Sequence, residues 1–229
     1  MTMTALEIDD KQNISRTPSE RAYRGILKAL YEGRFVPGQR LIAPDLMNEF
    51  DVGRGTVREV LNRLTASGVV SLIPNRGAHV RRLSRTEVME LLDIVELMLA
   101  LASRGAAAAI GDPGARAELV EHDRRLRSSE AQVMLTDFLQ ARDEYYRCIV
   151  RLSGNKELQR LFPSAQVHIM RLQLRPFQNA ADSTPVDDFT GLTEAILSGR
   201  PELAERAGRE HVNLTRERIA RLPEQAFRT

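Results

Sequence analysis

The stretch Val52-Gly53-Arg54-Gly55-Thr56-Val57-Arg58-Glu59-Val60-Leu61-Asn62-Arg63-Leu64, followed by Pro74-Asn75-Arg76-Gly77, constrains this chain more than any other. Val57, Val60, Leu61 and Leu64 recur at helical spacing, so one face of a helix over Arg54–Ala66 is apolar. Gly53 serves as its N-cap and Gly68 ends it. Upstream, Asp51-Val52-Gly53 is a turn, and Pro44 with Asp45 opens a short helix to about Phe50. Val36-Pro37-Gly38-Gln39-Arg40-Leu41 reads as a turn and short strand. Before it, Ser19 can cap a helix over Glu20–Glu32, with Ala22, Tyr23, Ile26, Leu27 and Leu30 on one face. Downstream, Val69–Ile73 and Ala78–Arg82 read as two strands around the Pro-Asn-Arg-Gly tip. Helix, turn, helix and two-stranded wing are the parts of a winged helix-turn-helix, which lays one helix in the major groove of DNA.

From Thr86 onward there is no strand signal. Helices are predicted near 86–110, 115–131, 133–153, 155–175, 185–199 and 201–221. Breaks fall at Gly111-Asp112-Pro113-Gly114, Ser153-Gly154-Asn155, Asn179 to Pro185, and Ser198-Gly199-Arg200-Pro201. Leu91–Leu101 is nearly all apolar, which places that helix centrally in a bundle or in a dimer interface. The expected fold is therefore mainly α: an N-terminal winged helix-turn-helix plus a C-terminal all-α helical bundle. The domain reading is an arm over 1–17, the winged helix over 18–82, a linker over 83–86, the helical domain over 87–222 and a tail over 223–229.

Composition narrows the class. Hydrophobic residues make up 42% of the chain, enough for packed cores, so a disordered protein is excluded. No apolar run reaches the roughly 18 residues of a membrane span. The acidic start, Met1-Thr2-Met3-Thr4-Ala5-Leu6-Glu7, lacks the basic and apolar pattern of a secretory signal. Cys148 is the single cysteine, and no internal disulfide can form, which fits a cytoplasmic setting. Residues 1–85 carry 14 Lys/Arg against 9 Asp/Glu, whereas residues 86–229 carry 19 against 22. Positive charge thus gathers in the half with the winged-helix pattern, where phosphates would attract it.

Within that half, Arg54 and Arg58 are four apart and share a helix face, with Thr56 near the same end. Arginine pairs bidentately with guanine O6 and N7, and a recognition helix reads bases from its first turns. Gly55 leaves the backbone bare where it would approach phosphate. Arg63 lies further along, as a solvated or phosphate-facing group. Asn75, Arg76 and Gly77 form the wing tip, suited to the minor groove or a phosphate, and His79, Arg81 and Arg82 add polar character. The plainer alternatives are a solvated Arg58 and an ordinary polar hairpin.

These residues resemble the GntR family of bacterial transcription regulators. Pro37-Gly38-Gln39-Arg40-Leu41, the run Val52 to Leu61, Gly68 and Pro74-Asn75-Arg76-Gly77 match its pattern in order and spacing. Two positions depart. Gly53 replaces the usual serine or threonine cap, and Pro44 stands where many members carry a DNA-contacting arginine. The helical remainder resembles the FadR-type effector domain called FCD, through Ser153-Gly154-Asn155 and a last helix that contains His211. The resemblance implies a homodimer, a palindromic operator, and control by a small metabolite, often an organic acid.

Many FCD domains hold a divalent metal through one aspartate and three histidines. Aligned on Ser153-Gly154-Asn155, the aspartate position falls on Arg142 and the first histidine on Tyr146. Another falls on Phe189, and His211 alone survives. Arginine and phenylalanine offer no lone pair and tyrosine is protonated at neutral pH, so the usual metal and any other cofactor are expected to be absent. Asp143 and His168 could rebuild a different site. Arg142 could instead hold a carboxylate or phosphate directly, with Tyr146 and His211 orienting it and Phe189 as a wall. Arg171 and Arg175, one turn apart, could face the same pocket. Alternatively, Arg142 pairs with a surface acid and the cavity is closed.

Three functions follow from these readings. The first is a ligand-responsive regulator, commonly a repressor released by its ligand. The second is a ligand-independent DNA-binding protein whose helical domain only dimerises. The third is an enzyme, against which stands the lack of a nucleophile–base pair, a phosphate loop or a His-Glu-x-x-His motif. Cys148 lies within an apolar helical pattern, as a core residue would.

Overall fold

The computed structural model describes residues 17–131, 135–177 and 186–228. Residues 1–16 of the expected arm and the break from Asn179 to Pro185 lie outside the described residues. The chain divides into two compact units, Met1–Arg81 and Arg82–Thr229.

The first unit contains α1 (Pro18–Tyr31), β1 (Arg40–Leu41), α2 (Ala43–Phe50), α3 (Arg54–Ala66), β2 (Val70–Ile73) and β3 (Gly77–Val80). Thr17, not Ser19, caps α1: its Oγ1 accepts the Glu20 N–H at 3.2 Å. Pro18 explains the shift, because proline at the first helical position has no N–H to leave unsatisfied. Ser19 turns inward, and its hydroxyl donates to Glu59 of α3 at 2.6 Å. Asp51, in left-handed backbone with φ of 49°, makes the sharp turn out of α2. Gly53 then caps α3 with no side-chain hydrogen bond. Val57, Val60, Leu61 and Leu64 are buried, as their spacing requires. β3 lies between β1 and β2, antiparallel to both, with Arg40 opposite His79 on one side and Ser71 opposite it on the other.

The second unit is helical: α4 (Arg85–Ala109), α5 (Pro113–Ala131), α6 (Leu135–Leu152), α7 (Lys156–Leu161), α8 (Ser164–Leu174), α9 (Val186–Leu197) and α10 (Pro201–Ala220). Ser84 begins α4 with a reciprocal capping box to Glu87. The helix expected over 155–175 is two helices. Pro163 removes an amide donor and pushes Phe162 into extended backbone, with ψ of 121°, so α7 stops there. Val88, Leu92, Val95 and Leu99 carry the buried stripe of α4. α4 packs along α10 through small residues. A Cβ on Gly208 would sit 3.1 Å from the Ala100 Cα and the Leu99 carbonyl oxygen. Gly208→Val should therefore push these helices apart and lower unfolding free energy by about 1–3 kcal/mol, measured by urea denaturation.

The final residues, expected as a tail, are packed. Ala226 and Phe227 are buried. The Gln173 amide donates to Leu83 and Ala226 carbonyls at 2.8 and 2.9 Å and accepts the Leu83 N–H at 2.7 Å. The Arg85 guanidinium lies over the Phe227 ring at 4.3 Å. Leu83, placed in a linker by the sequence, thus belongs to the helical core.

Candidate functional site

The first candidate surface belongs to the winged unit. Arg54, Gly55 and Arg58 are exposed on α3 and Thr56 is half-buried. No hydrogen bond or ion pair holds Arg54 or Arg58 among the described residues, so both guanidiniums are available to a ligand. A Cβ on Gly55 would meet nothing within 4 Å, so the fold itself does not demand glycine there. Arg63 is exposed, as expected of a solvated or phosphate-facing group, but it also has internal partners. Its guanidinium donates to Glu20 at 3.0 Å and lies 4.3 Å from the centre of the Tyr23 ring, which ties α3 to α1.

In the wing, Asn75 takes left-handed backbone (φ 61°) and the Arg76 N–H closes the turn on the Ile73 carbonyl at 3.0 Å. Asn75, Arg76 and Gly77 are all exposed. Arg40 joins them: its guanidinium reaches within 3.8 Å of where a Gly77 Cβ would be. The sequence reading missed Arg40, although its place in the Pro37–Leu41 turn-and-strand was the available signal. Arg82 is engaged elsewhere, donating to the carbonyls of Gln225 and Phe227.

The second candidate site lies inside the helical unit. Arg142, Tyr146, Phe189 and His211 come from α6, α9 and α10, and none is more than 7% exposed. The Tyr146 hydroxyl and His211 Nε2 are hydrogen-bonded at 2.6 Å. Phe189 packs on His211 with ring centres 4.9 Å apart, and the Arg142 guanidinium lies 5.2 Å from the Phe189 ring centre. Arg142 is thus not a surface residue.

Two adjoining cavities meet here. One is small and mainly apolar, with Leu92, Val95, Leu99, Met170 and Val212 in its walls. The other, also small, adds Arg142, Asp143 and His168. Tyr146, Phe162, Val167 and Arg171 line both. The break at Pro163 places Phe162 and Val167 on these walls, on either side of it. Arg175 falls in a short 3-10 turn and lines neither cavity, which corrects its expected place beside Arg171.

Positive charge dominates the shared wall. Burial, then repulsion from Arg142 and Arg218, pulls the Arg171 guanidinium down from its usual range to about 9, so it remains charged at neutral pH. Its Nε is buried and has no hydrogen-bond partner among the described residues. The Asp143 carboxylate is held by Arg147 at 2.7 Å. Asp143 and His168 do not gather with a third carboxylate, thiol or imidazole among the described residues. These residues do not fit the divalent cation that the resemblance implies: His211 is bonded to Tyr146 and two guanidiniums would repel the ion. The same arrangement suits an anion.

A winged helix-turn-helix joined in sequence to an all-helical unit defines a class of DNA-binding transcription regulators. The profile of the bacterial regulatory proteins, gntR family, matches residues 18–80, and that of the FCD domain matches residues 87–214. The chain belongs to the GntR family, in the group that carries an FCD domain. It is 26% identical over 212 residues to an uncharacterised HTH-type transcriptional regulator in an unstable DNA locus of Streptomyces ambofaciens, covering 92% of this chain and 89% of that one. A probable D-xylose utilization operon transcriptional repressor of Paenarthrobacter nicotinovorans is 25% identical, with 82% of each chain covered. Among solved structures, McbR/YncC of E. coli shares the fold, with a TM-score of 0.77 at 18% identity over 90% of this chain and 98% of that one. The family comprises transcription regulators, not enzymes. No described helix is long and apolar enough to cross a membrane.

Proposed function

We propose that this regulator is a cytoplasmic repressor whose operator affinity is set by a small carboxylate-bearing metabolite held in the helical unit without a metal. Arg171 carries the argument: a charged guanidinium with an unsatisfied buried Nε, beside a second guanidinium, lacks only an anion. Arg142 and Arg171 grip the carboxylate and Tyr146 and His211 orient it, while Phe189, expected as a wall, lines neither cavity and packs behind Arg142 and His211. The apolar lobe receives the rest of the molecule. This favours ligand control over a helical unit that serves only for dimerisation.

The working form is a homodimer on a palindromic operator. Ile94, Leu97 and Leu101 lie on α4 at helical spacing and are at least half exposed, an apolar stripe that a second copy can cover. Native mass spectrometry of gently purified protein tests both points. A dimer carrying the mass of an organic acid, and no metal at this cavity, is expected. A monomer, or a dimer that loses a divalent metal on His211→Ala, would overturn the reading.

A further inference from the structure

We propose that Glu118, His122 and Cys148 form a zinc-type divalent-metal site on the flank of the helical unit, separate from the anion cavity. Glu118 and His122 are one turn apart on α5, so they share a face. That face meets Cys148 of α6, and one donor atom from each residue lies within 4.8 Å of the others. The bond lengths of four-coordinate zinc set its donors about 3.3–3.8 Å apart, so side-chain adjustment of about an ångström closes the set.

Two features point to a metal here. His122 Nδ1 is buried and has no hydrogen-bond partner among the described residues, a cost that a ligand would remove. The site is also reachable: the Glu118 side chain is 32% exposed and that of His122 is 19%, while Cys148 forms the floor.

Imidazole and thiolate select zinc-like ions over magnesium or calcium. On binding, the Cys148 thiol gives its proton to solvent and the thiolate takes the metal. Arg151 engages both Glu118 carboxylate oxygens, so one of those contacts gives way when the ion binds and the other holds the carboxylate in place. A water molecule would complete the four-coordinate shell. Because Tyr146 and Arg142 lie on the same helix as Cys148, a metal here would fix α6 beside the anion cavity.

Cobalt(II) titration of the metal-free full-length protein tests this. We expect a thiolate-to-cobalt charge-transfer band with intense tetrahedral ligand-field bands, both displaced by zinc. Cys148→Ser should abolish the charge-transfer band. His122→Gln, a milder change to a half-buried side chain, should weaken zinc binding at least about tenfold in a chelator competition and leave the circular dichroism unchanged. His211→Ala should leave the spectrum intact. A wild-type protein without the charge-transfer band, a band that survives Cys148→Ser, or a band lost with His211→Ala would each overturn the proposal.

Discussion

Arg58→Ala should cost this protein most of its sequence-specific DNA binding while leaving its fold intact. Arg58 is exposed, and nothing among the described residues holds it, so truncation removes no internal contact. A bidentate arginine–guanine pair contributes about 1–3 kcal/mol of discrimination. A dimer loses it twice, which gives a fall of about 30-fold or more in operator affinity. Binding to unrelated DNA should change far less, because phosphate contacts supply it. Arg76→Ala in the wing gives the contrast if Arg76 holds a phosphate: affinity falls on all sequences and the salt dependence becomes shallower by about one ion per site. Fluorescence anisotropy on operator and scrambled duplexes across a salt series separates the two. An Arg58→Ala protein with undiminished operator preference would remove α3 from the reading role.

Arg142→Ala should abolish the response to the carboxylate. Removing one partner of a buried, hydrogen-bonded charge pair costs about 2–5 kcal/mol, so ligand affinity should fall by about 30-fold to several thousand-fold. Arg142→Lys keeps the charge but loses the planar fork, and should lie between wild type and Arg142→Ala. Tyr146→Phe deletes only the hydroxyl bonded to His211, and should cost about 1 kcal/mol. Calorimetric titration with the acid identified by mass spectrometry gives these values directly. Operator affinity without ligand should stay near wild type in all three variants. If Arg142→Ala binds the acid as tightly as wild type, the anion is held elsewhere.

Much of the DNA-reading unit was legible in the sequence because its signals are local. The apolar spacing of α3, the proline in α2 and the Pro-Asn-Arg-Gly tip each report on their own neighbours. The partner of Arg63 and the role of Ser19 were not legible because Glu20 and Glu59 are about forty residues away from them. The cavity shows the same division. Spacing and resemblance brought Arg142, Tyr146, Phe189 and His211 to attention, and the fold places them together. Which of Arg171 and Arg175 faces inward depended on where α8 ends, and periodicity does not set that boundary. The break at Pro163 carried a local signal that was passed over within an otherwise helical pattern. The packing of Phe227 against Arg85 carried none, since cation–π partners so far apart leave no trace in spacing. The joining of Glu118 and His122 to Cys148 is equally non-local.

The most direct test of the account measures operator affinity by fluorescence anisotropy, using a duplex selected from genomic DNA, with and without a panel of small monocarboxylates. At least one member should weaken operator binding by about fivefold or more in the wild type, a coupling of about 1 kcal/mol, and have no effect on Arg142→Ala. Tight operator binding that no carboxylate alters in the wild type, or one altered equally in Arg142→Ala, would contradict it.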